Sequence, residues 1–258
     1  MAKIIAIANQ KGGVAKTTTA VNLAASLAIL KKRVLLVDLD SQGNATMGSG
    51  IQKNELTYSV ADVLLGDAPI EAAIQKTEAL YKVLGSNREL AGVELAIAET
   101  EQREYILRDA LAQVESAFDF IIIDCAPSLS LITVNALCAA QSVLIPMQCE
   151  YYALEGIADL SQTIDTINQT LNPELHILGV LRTMYDGRNA LAKDVSAELE
   201  NYFGEKLFNT VIPRNVRLAE APAHGVPVIY FEKSSKGAVS YLNFAAELVK
   251  KVKQGAKA

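Results

Sequence analysis

Lys3-Ile4-Ile5-Ala6-Ile7-Ala8, followed without a break by Asn9-Gln10-Lys11-Gly12-Gly13-Val14-Ala15-Lys16-Thr17-Thr18-Thr19, decides the fold. The first six residues are a short apolar run of the kind that makes a buried strand. From Lys16 to Leu30 apolar residues recur at spacings of three and four, which predicts a helix. Strand, tight loop and helix in this order are the context in which a loop binds phosphate. Gly12 and Gly13 let the backbone turn sharply, so that successive N–H groups of the Gly12–Thr18 stretch, Val14 and Ala15 included, can face phosphate oxygens. The helix start adds the positive end of its dipole. Lys16 is then placed to reach the β- and γ-phosphates of a nucleotide, with the Thr17 hydroxyl as a Mg²⁺ ligand and Thr18 beside it.

Outward from this loop, the chain alternates strand and helix patterns. Strands are expected at 3–8, 33–38, 81–85, 118–124, 142–146, 175–182 and 207–212. Helices are expected at 16–30, 99–117, 153–171, 188–203 and 237–252. Val34-Leu35-Leu36-Val37 and Ile121-Ile122-Ile123 are apolar without alternation, as strands covered on both faces must be. The expected fold class is therefore α/β, a mainly parallel sheet flanked by helices on both faces. No repeat or linker interrupts residues 1–258, so one domain is expected, with 254–258 as a disordered tail.

Composition narrows the function. The chain has 258 residues, half of them hydrophobic, and no run approaches the roughly 20 apolar residues of a membrane span. Its first eight residues read as a strand and not as a signal peptide, and three unevenly spaced cysteines (Cys125, Cys138, Cys149) read as buried thiols. The expected compartment is the cytoplasm. Net charge is −5, but it is divided unequally: residues 1–175 carry −9 and residues 176–258 carry +4. A basic last third hints at a face for a polyanion.

The general pattern G-x-x-x-x-G-K-[ST] is not met, since Gln10 and Ala15 stand at its two glycine positions. What is met is K-G-G-x-x-K-[ST], with a second lysine, Lys11, opening the loop. This loop resembles that of the ParA/MinD group of ATPases, P-loop NTPases with a deviant Walker A motif. The resemblance implies ATP and Mg²⁺ as cofactors and ATP hydrolysis as the reaction. In that group the early lysine reaches phosphates bound by the partner subunit, so Lys11 implies an ATP-sandwich homodimer. Members mostly carry Gly at the position of Ala15; a left-handed backbone there costs alanine about 1 kcal/mol or more, whereas a negative φ costs nothing. A non-hydrolysing nucleotide switch is the reading that this alanine leaves open.

Two further stretches extend the resemblance. Val34-Leu35-Leu36-Val37-Asp38-Leu39-Asp40-Ser41-Gln42-Gly43-Asn44 resembles the group's switch I, and 118–128 resembles its Walker B and switch II. They imply Asp40 as the residue that orients the attacking water, Asp38 nearer the metal and loop, and Asp124, Asp40 and Thr17 as the metal's surroundings. In the last third, Pro213-Arg214-Asn215 and Glu220-Ala221-Pro222 with His224-Gly225 resemble chromosomal, Soj-like ParA proteins. There Pro213 and Asn215 imply base contacts. Arg188, Arg217 and Lys236 imply nonspecific DNA binding on a nucleoid, with a ParB-type protein as partner in chromosome or plasmid partitioning. A MinD-like membrane ATPase is the alternative. It would require the short amphipathic stretch at 242–253 to seek a membrane, and a core face is the more economical use of those residues. No membrane partner is expected.

Overall fold

The computed structural model describes residues 1–151 and 153–255. Among them the strands are β1 (Lys3–Ile7), β2 (Val34–Leu39), β3 (Ile74–Lys76), β4 (Lys82–Leu84), β5 (Phe120–Cys125), β6 (Ser142–Gln148) and β7 (His176–Thr183). They form one sheet in the order β3-β4-β2-β5-β1-β6-β7. Neighbours run parallel throughout, except at the antiparallel edge pair β3–β4. The helices in the first half are α1 (Lys16–Ile29), α2 (Asn44–Gly48), α3 (Val60–Leu65), α4 (Ile70–Ala73), α5 (Leu90–Ala96) and α6 (Ile106–Val114). Beyond β5 come α7 (Leu131–Ala139), α8 (Ala153–Thr170), α9 (Ala190–Phe203), α10 (Val216–Glu220), α11 (Val228–Phe231) and α12 (Lys236–Gly255).

β2 and β5 are buried along their whole length, because a core lies on each side of the sheet. Ile121 and Ile123 enter one core with residues of α3 and α5–α9, and Ile122 enters the other with α1, α11 and α12. α1 is buried from Thr19 to Ala28, sandwiched between the sheet and α12, which explains why its apolar and small residues run all round the helix. Tyr241 on α12 shares a hydrogen bond with Thr19 of α1, 3.0 Å between their hydroxyls. Ala238, Tyr241, Phe244, Ala245 and Leu248 of α12 are all fully buried. The apolar face that a membrane reading would need is thus spent on the core. No helix among the described residues is long and apolar enough to cross a membrane.

Four expectations change. Residues 207–212 are not a strand: they meet β7 through an isolated bridge, Val180 to Leu207, and through the Ile212 amide on the Arg182 carbonyl at 2.8 Å. The Glu247 carboxylate takes the Asn209 and Thr210 amides at 2.7 and 2.9 Å, and Pro213 has no N–H to continue a ladder. The helix expected over 99–117 shrinks to α6 and the 3₁₀ turn Glu115–Ala117, since Gln102 adopts φ 55° and Asn135 of α7 caps the Leu107 amide at 3.1 Å. The Asn189 side chain accepts the Leu191 amide at 3.0 Å, so α9 starts at Ala190 and Arg188 lies in the turn before it. α12 continues through Gln254 and Gly255, which removes them from the expected tail; 256–258 lie outside the described residues. The short helices α2–α5, α7, α10 and α11 and the three-residue strand β3 had no period long enough to announce them.

Phe244 meets Phe208 edge-on, with ring centroids 4.9 Å apart, and is fully buried. Phe244→Ala is expected to lower stability by about 3–5 kcal/mol, read as a reduced urea midpoint at unchanged slope.

Candidate active site

Parallel strands end together, so β1, β2 and β5 deliver their following residues to one edge. In register, Asp124 lies opposite Ile7 on one side and Asp38 on the other. Directly past Ile7 the loop 8–15 turns into α1. Gly13 is left-handed, with φ 75°, and a Cβ on Gly12 or Gly13 would meet nothing within 4 Å. The concave side of the loop is open.

The loop's shape is fixed from outside. The Asn9 amide donates to the Pro146 carbonyl at 2.8 Å, and its oxygen accepts the Lys11 amide at 2.9 Å. Gln148 donates to the Gly13 carbonyl at 3.2 Å and Thr183 to the Val14 carbonyl at 3.0 Å. Lys16 Nζ donates to the Lys11 carbonyl at 3.0 Å. Three loop carbonyls are engaged in this way, and no side chain caps α1. The unpaired amides at the start of α1 are what an anion needs.

A cavity of about 330 Å³ opens in front of the loop, lined by Gly12, Gly13, Lys16, Thr17, Asp40 and Cys125 among others. The structure therefore brings the loop, Asp40 and the end of β5 to one place. Asp124 is wholly buried, and neither of its oxygens has a hydrogen-bond partner. Burial pushes its carboxyl well above the usual carboxylate range and the Asp38 charge adds to this; Thr17 and Lys16 oppose it. An orphaned buried carboxylate beside a threonine hydroxyl suits a divalent cation that arrives with a nucleotide. Mg²⁺ commonly takes one or two carboxylates and completes its shell with phosphate and water. Burial lowers the pKa of Lys16, against the opposing charges of Asp124, Cys125 and Asp40.

Asp40 is half-buried and accepts the Gln42 amide at 2.9 Å on one oxygen. Lys11 lies at the mouth, where its ammonium pairs with Glu150 at 2.9 Å. Pro213 and Asn215 line a second cavity of about 190 Å³ together with Ala15, Thr18, Met184 and Tyr241. Asn215 also caps α10, accepting the Arg217 amide at 3.1 Å.

A protein-family profile described as an AAA domain matches residues 2–177. The sporulation initiation inhibitor protein Soj of Bacillus subtilis is 51% identical over 96% of this chain and 98% of its own length. The chromosome partitioning protein ParA of Myxococcus xanthus is 50% identical over 96% of this chain and 88% of its own. The chain belongs to the ParA/Soj family of chromosome-partitioning ATPases. Among solved structures, it is similar to one titled cobyrinic acid a,c-diamide synthase from Mycobacterium smegmatis with bound ADP and magnesium. That likeness has TM-score 0.87 and 40% identity, and covers 99% of this chain and 97% of that one.

Within this ParA/Soj fold the three basic candidates lie apart from the phosphate cavity. Arg188 is 91% exposed and paired with Asp186 at 2.8 Å; Arg217 is paired with Glu220 at 2.7 Å. Exposed pairs of this kind are weak, so each guanidinium is available for exchange onto another anion. A bridge between Tyr185 and Pro213 sets the turn carrying Arg188 beside the segment carrying Arg217. Lys236 is exposed at the start of α12, whose Gly237 packs against Leu218 and Asn215.

Several residues at the site had no legible signal in the sequence. Glu150, Gln148 and Thr183 act on the loop across more than a hundred residues of chain. Met184 takes φ 48° and lines both cavities, with its sulfur 2.9 Å from the Gln148 amide. A larger cavity of about 450 Å³ opens on the far side of Thr17 and Thr18, between α1, α2 and the 3₁₀ turn Ala221–His224.

Ala15 is left-handed, with φ 67° and ψ 35°, so the costly alternative holds. Ala15→Gly is expected to raise stability by about 0.5–1 kcal/mol in urea, because relief of the left-handed backbone outweighs the added freedom of the unfolded chain. An unchanged or lower midpoint would show that the strain at Ala15 does not exceed the freedom that glycine adds to the unfolded chain.

Proposed function

We propose that this chain is an ATPase whose ATP-bound form is a homodimer that holds DNA without sequence preference and drives partitioning with a ParB-type partner. The observation that carries the reading is the loop itself. Lys16 sits inside it, and Lys11 stands at the mouth, restrained by a single exposed carboxylate. One lysine serves the nucleotide of its own subunit, and the other is free to swing to the partner's.

ATP occupies the phosphate cavity, with its base towards Pro213 and Asn215. Bound beside Thr17 and Asp124, with Asp40 near, Mg²⁺ would supply neutralisation of the β- and γ-phosphate charge. Lys16 and the partner's copy of Lys11 share that task, and the loop amides receive the charge that develops on the transferring group. Asp40 keeps one carboxylate oxygen free of backbone bonds to hold the attacking water. Water attacks the γ-phosphorus, the bond to the bridging oxygen breaks, and ADP and inorganic phosphate leave. Hydrolysis ends the dimer and so times the stay on DNA. Arg188, Arg217 and Lys236 supply the phosphate contacts, doubled by dimer symmetry, and these account for residence on the nucleoid.

Lys16→Ala is expected to abolish ATP binding, measured by calorimetry. Lys11→Ala should bind ATP as a monomer and fail to dimerise, measured by light scattering; an ATP-dependent dimer in that variant defeats the sandwich reading. Asp40→Ala should bind ATP and lose turnover, leaving a dimer trapped on DNA.

Arg188→Glu and Arg217→Glu should each weaken binding to unrelated duplexes alike, with the salt slope smaller by about one unit for each phosphate left without its arginine. Titration of random duplex at several salt concentrations tests this. Parent-like affinity and slope in both variants would remove this face from DNA binding.

A further inference from the structure

The turn that presents Asp40 is mounted on a buried polar chain that begins at Thr46 of α2. Thr46 and Asp38 are both fully buried. The Thr46 amide and hydroxyl both donate to one Asp38 oxygen, at 2.8 and 2.7 Å. The other Asp38 oxygen accepts the Asp40 amide at 3.2 Å. The Thr46 hydroxyl oxygen in turn accepts the Ser86 amide at 2.9 Å. A line of bonds thus runs from the backbone after β4, through Thr46 and Asp38, to the backbone of Asp40.

A second contact braces the same turn independently. Gly43, with φ 61°, lies so close to Ser86 that a Cβ would come within 2.6 Å of the Ser86 carbonyl. The Gly43 amide donates to the Asp40 carbonyl at 2.8 Å. Both ends of the turn are therefore held against residue 86, and its freedom to shift is small. A fully satisfied buried network of this sort fixes position more than it adds stability.

We propose that Thr46 is a positioning residue for hydrolysis, holding Asp40 through Asp38 at the place where the attacking water is oriented. This rests on the reading of Asp40 given above. Thr46 itself is fully buried and lines neither the phosphate cavity nor the one beside Pro213 and Asn215. Its hydroxyl is the only group on the line that is both donor and acceptor, so an isosteric apolar residue removes the bond from Ser86 and one of the two bonds to Asp38, leaving only the backbone amide of residue 46 on that oxygen. Misplacement of a catalytic group by about 1 Å is enough to cost on the order of 100-fold in rate.

The test compares Thr46→Val, Thr46→Ser and Asp40→Ala in full-length protein, with ATP affinity, kcat at saturating ATP and melting temperature measured for each. Thr46→Val is expected to lower kcat about 10- to 100-fold with ATP affinity within about threefold of the parent. Thr46→Ser, which keeps both the donor and the acceptor, should restore most of the rate. Parent-like kcat in Thr46→Val, or equal loss in Thr46→Val and Thr46→Ser, overturns the proposal; the second result assigns the effect to the methyl group. Parent-like turnover in Asp40→Ala instead removes Asp40 from the mechanism, and the role of Thr46 falls with it. If Thr46→Val does not fold, Asp38→Asn replaces it, weakening the same acceptor at constant size. Reduced kcat at unchanged affinity is expected there, and parent-like kcat overturns the proposal.

Discussion

Asp38 and Asp124 lie side by side on adjacent strand ends, fully buried, with opposite hydrogen-bonding fates. Asp38 is supplied with donors by Thr46 and the Asp40 amide, and even so burial holds its carboxyl up at about 6. Neither Asp124 oxygen has a hydrogen-bond partner, and burial likewise raises its carboxyl well above the usual carboxylate range. Keeping an unpaired carboxylate in the interior is expensive unless a cation joins it. Much of the surrounding structure is arranged around that carboxylate: a lysine ammonium and a threonine hydroxyl at the start of α1, and a turn that keeps Asp40 close.

The same economy governs the phosphate loop. Its carbonyls are bound by Gln148 and Thr183 from outside and by Lys16 from within. With those acceptors engaged, and α1 uncapped, donors predominate at the mouth. A site of this kind is preorganised: its amides need no rearrangement when negative charge arrives. Left-handed Ala15 works against that arrangement, and the scaffold's bonds at Gly13 and Val14 on its N-terminal side keep the turn in place. The loop is therefore held by tertiary contacts as much as by its own sequence.

The edge carrying Arg188 and Arg217 is built on different terms. Here the charges are exposed and paired with near neighbours in sequence. Their partners Asp186 and Glu220 make the resting surface close to neutral locally, although residues 176–258 carry +4 as a whole. A polyanion that displaces these weak pairs gains phosphate contacts at small expense, which suits reversible, salt-sensitive association.

The sequence by itself determined the parallel sheet, the phosphate loop and the ends of β2 and β5. Those features are local: an apolar run without alternation, two glycines and a helix start lie within a few residues of one another. The loop pattern marked Lys16, and the resemblance to the ParA/MinD group marked Asp40 and Asp124, which stand at strand ends where such a sheet gathers ligand groups. Tertiary structure alone decided the left-handed state of Ala15 and the irregular course of 207–212, where Glu247 takes amides that a strand would have used. It alone joined Glu150 to Lys11 and Ser86 through Thr46 and Asp38 to Asp40. Glu150 meets Lys11 across 139 residues of chain, and Ser86 lies forty beyond Thr46. A hydrogen bond between distant residues leaves no period in the sequence, since any one of many polar side chains satisfies the local pattern and only the packed sheet selects which pair meets.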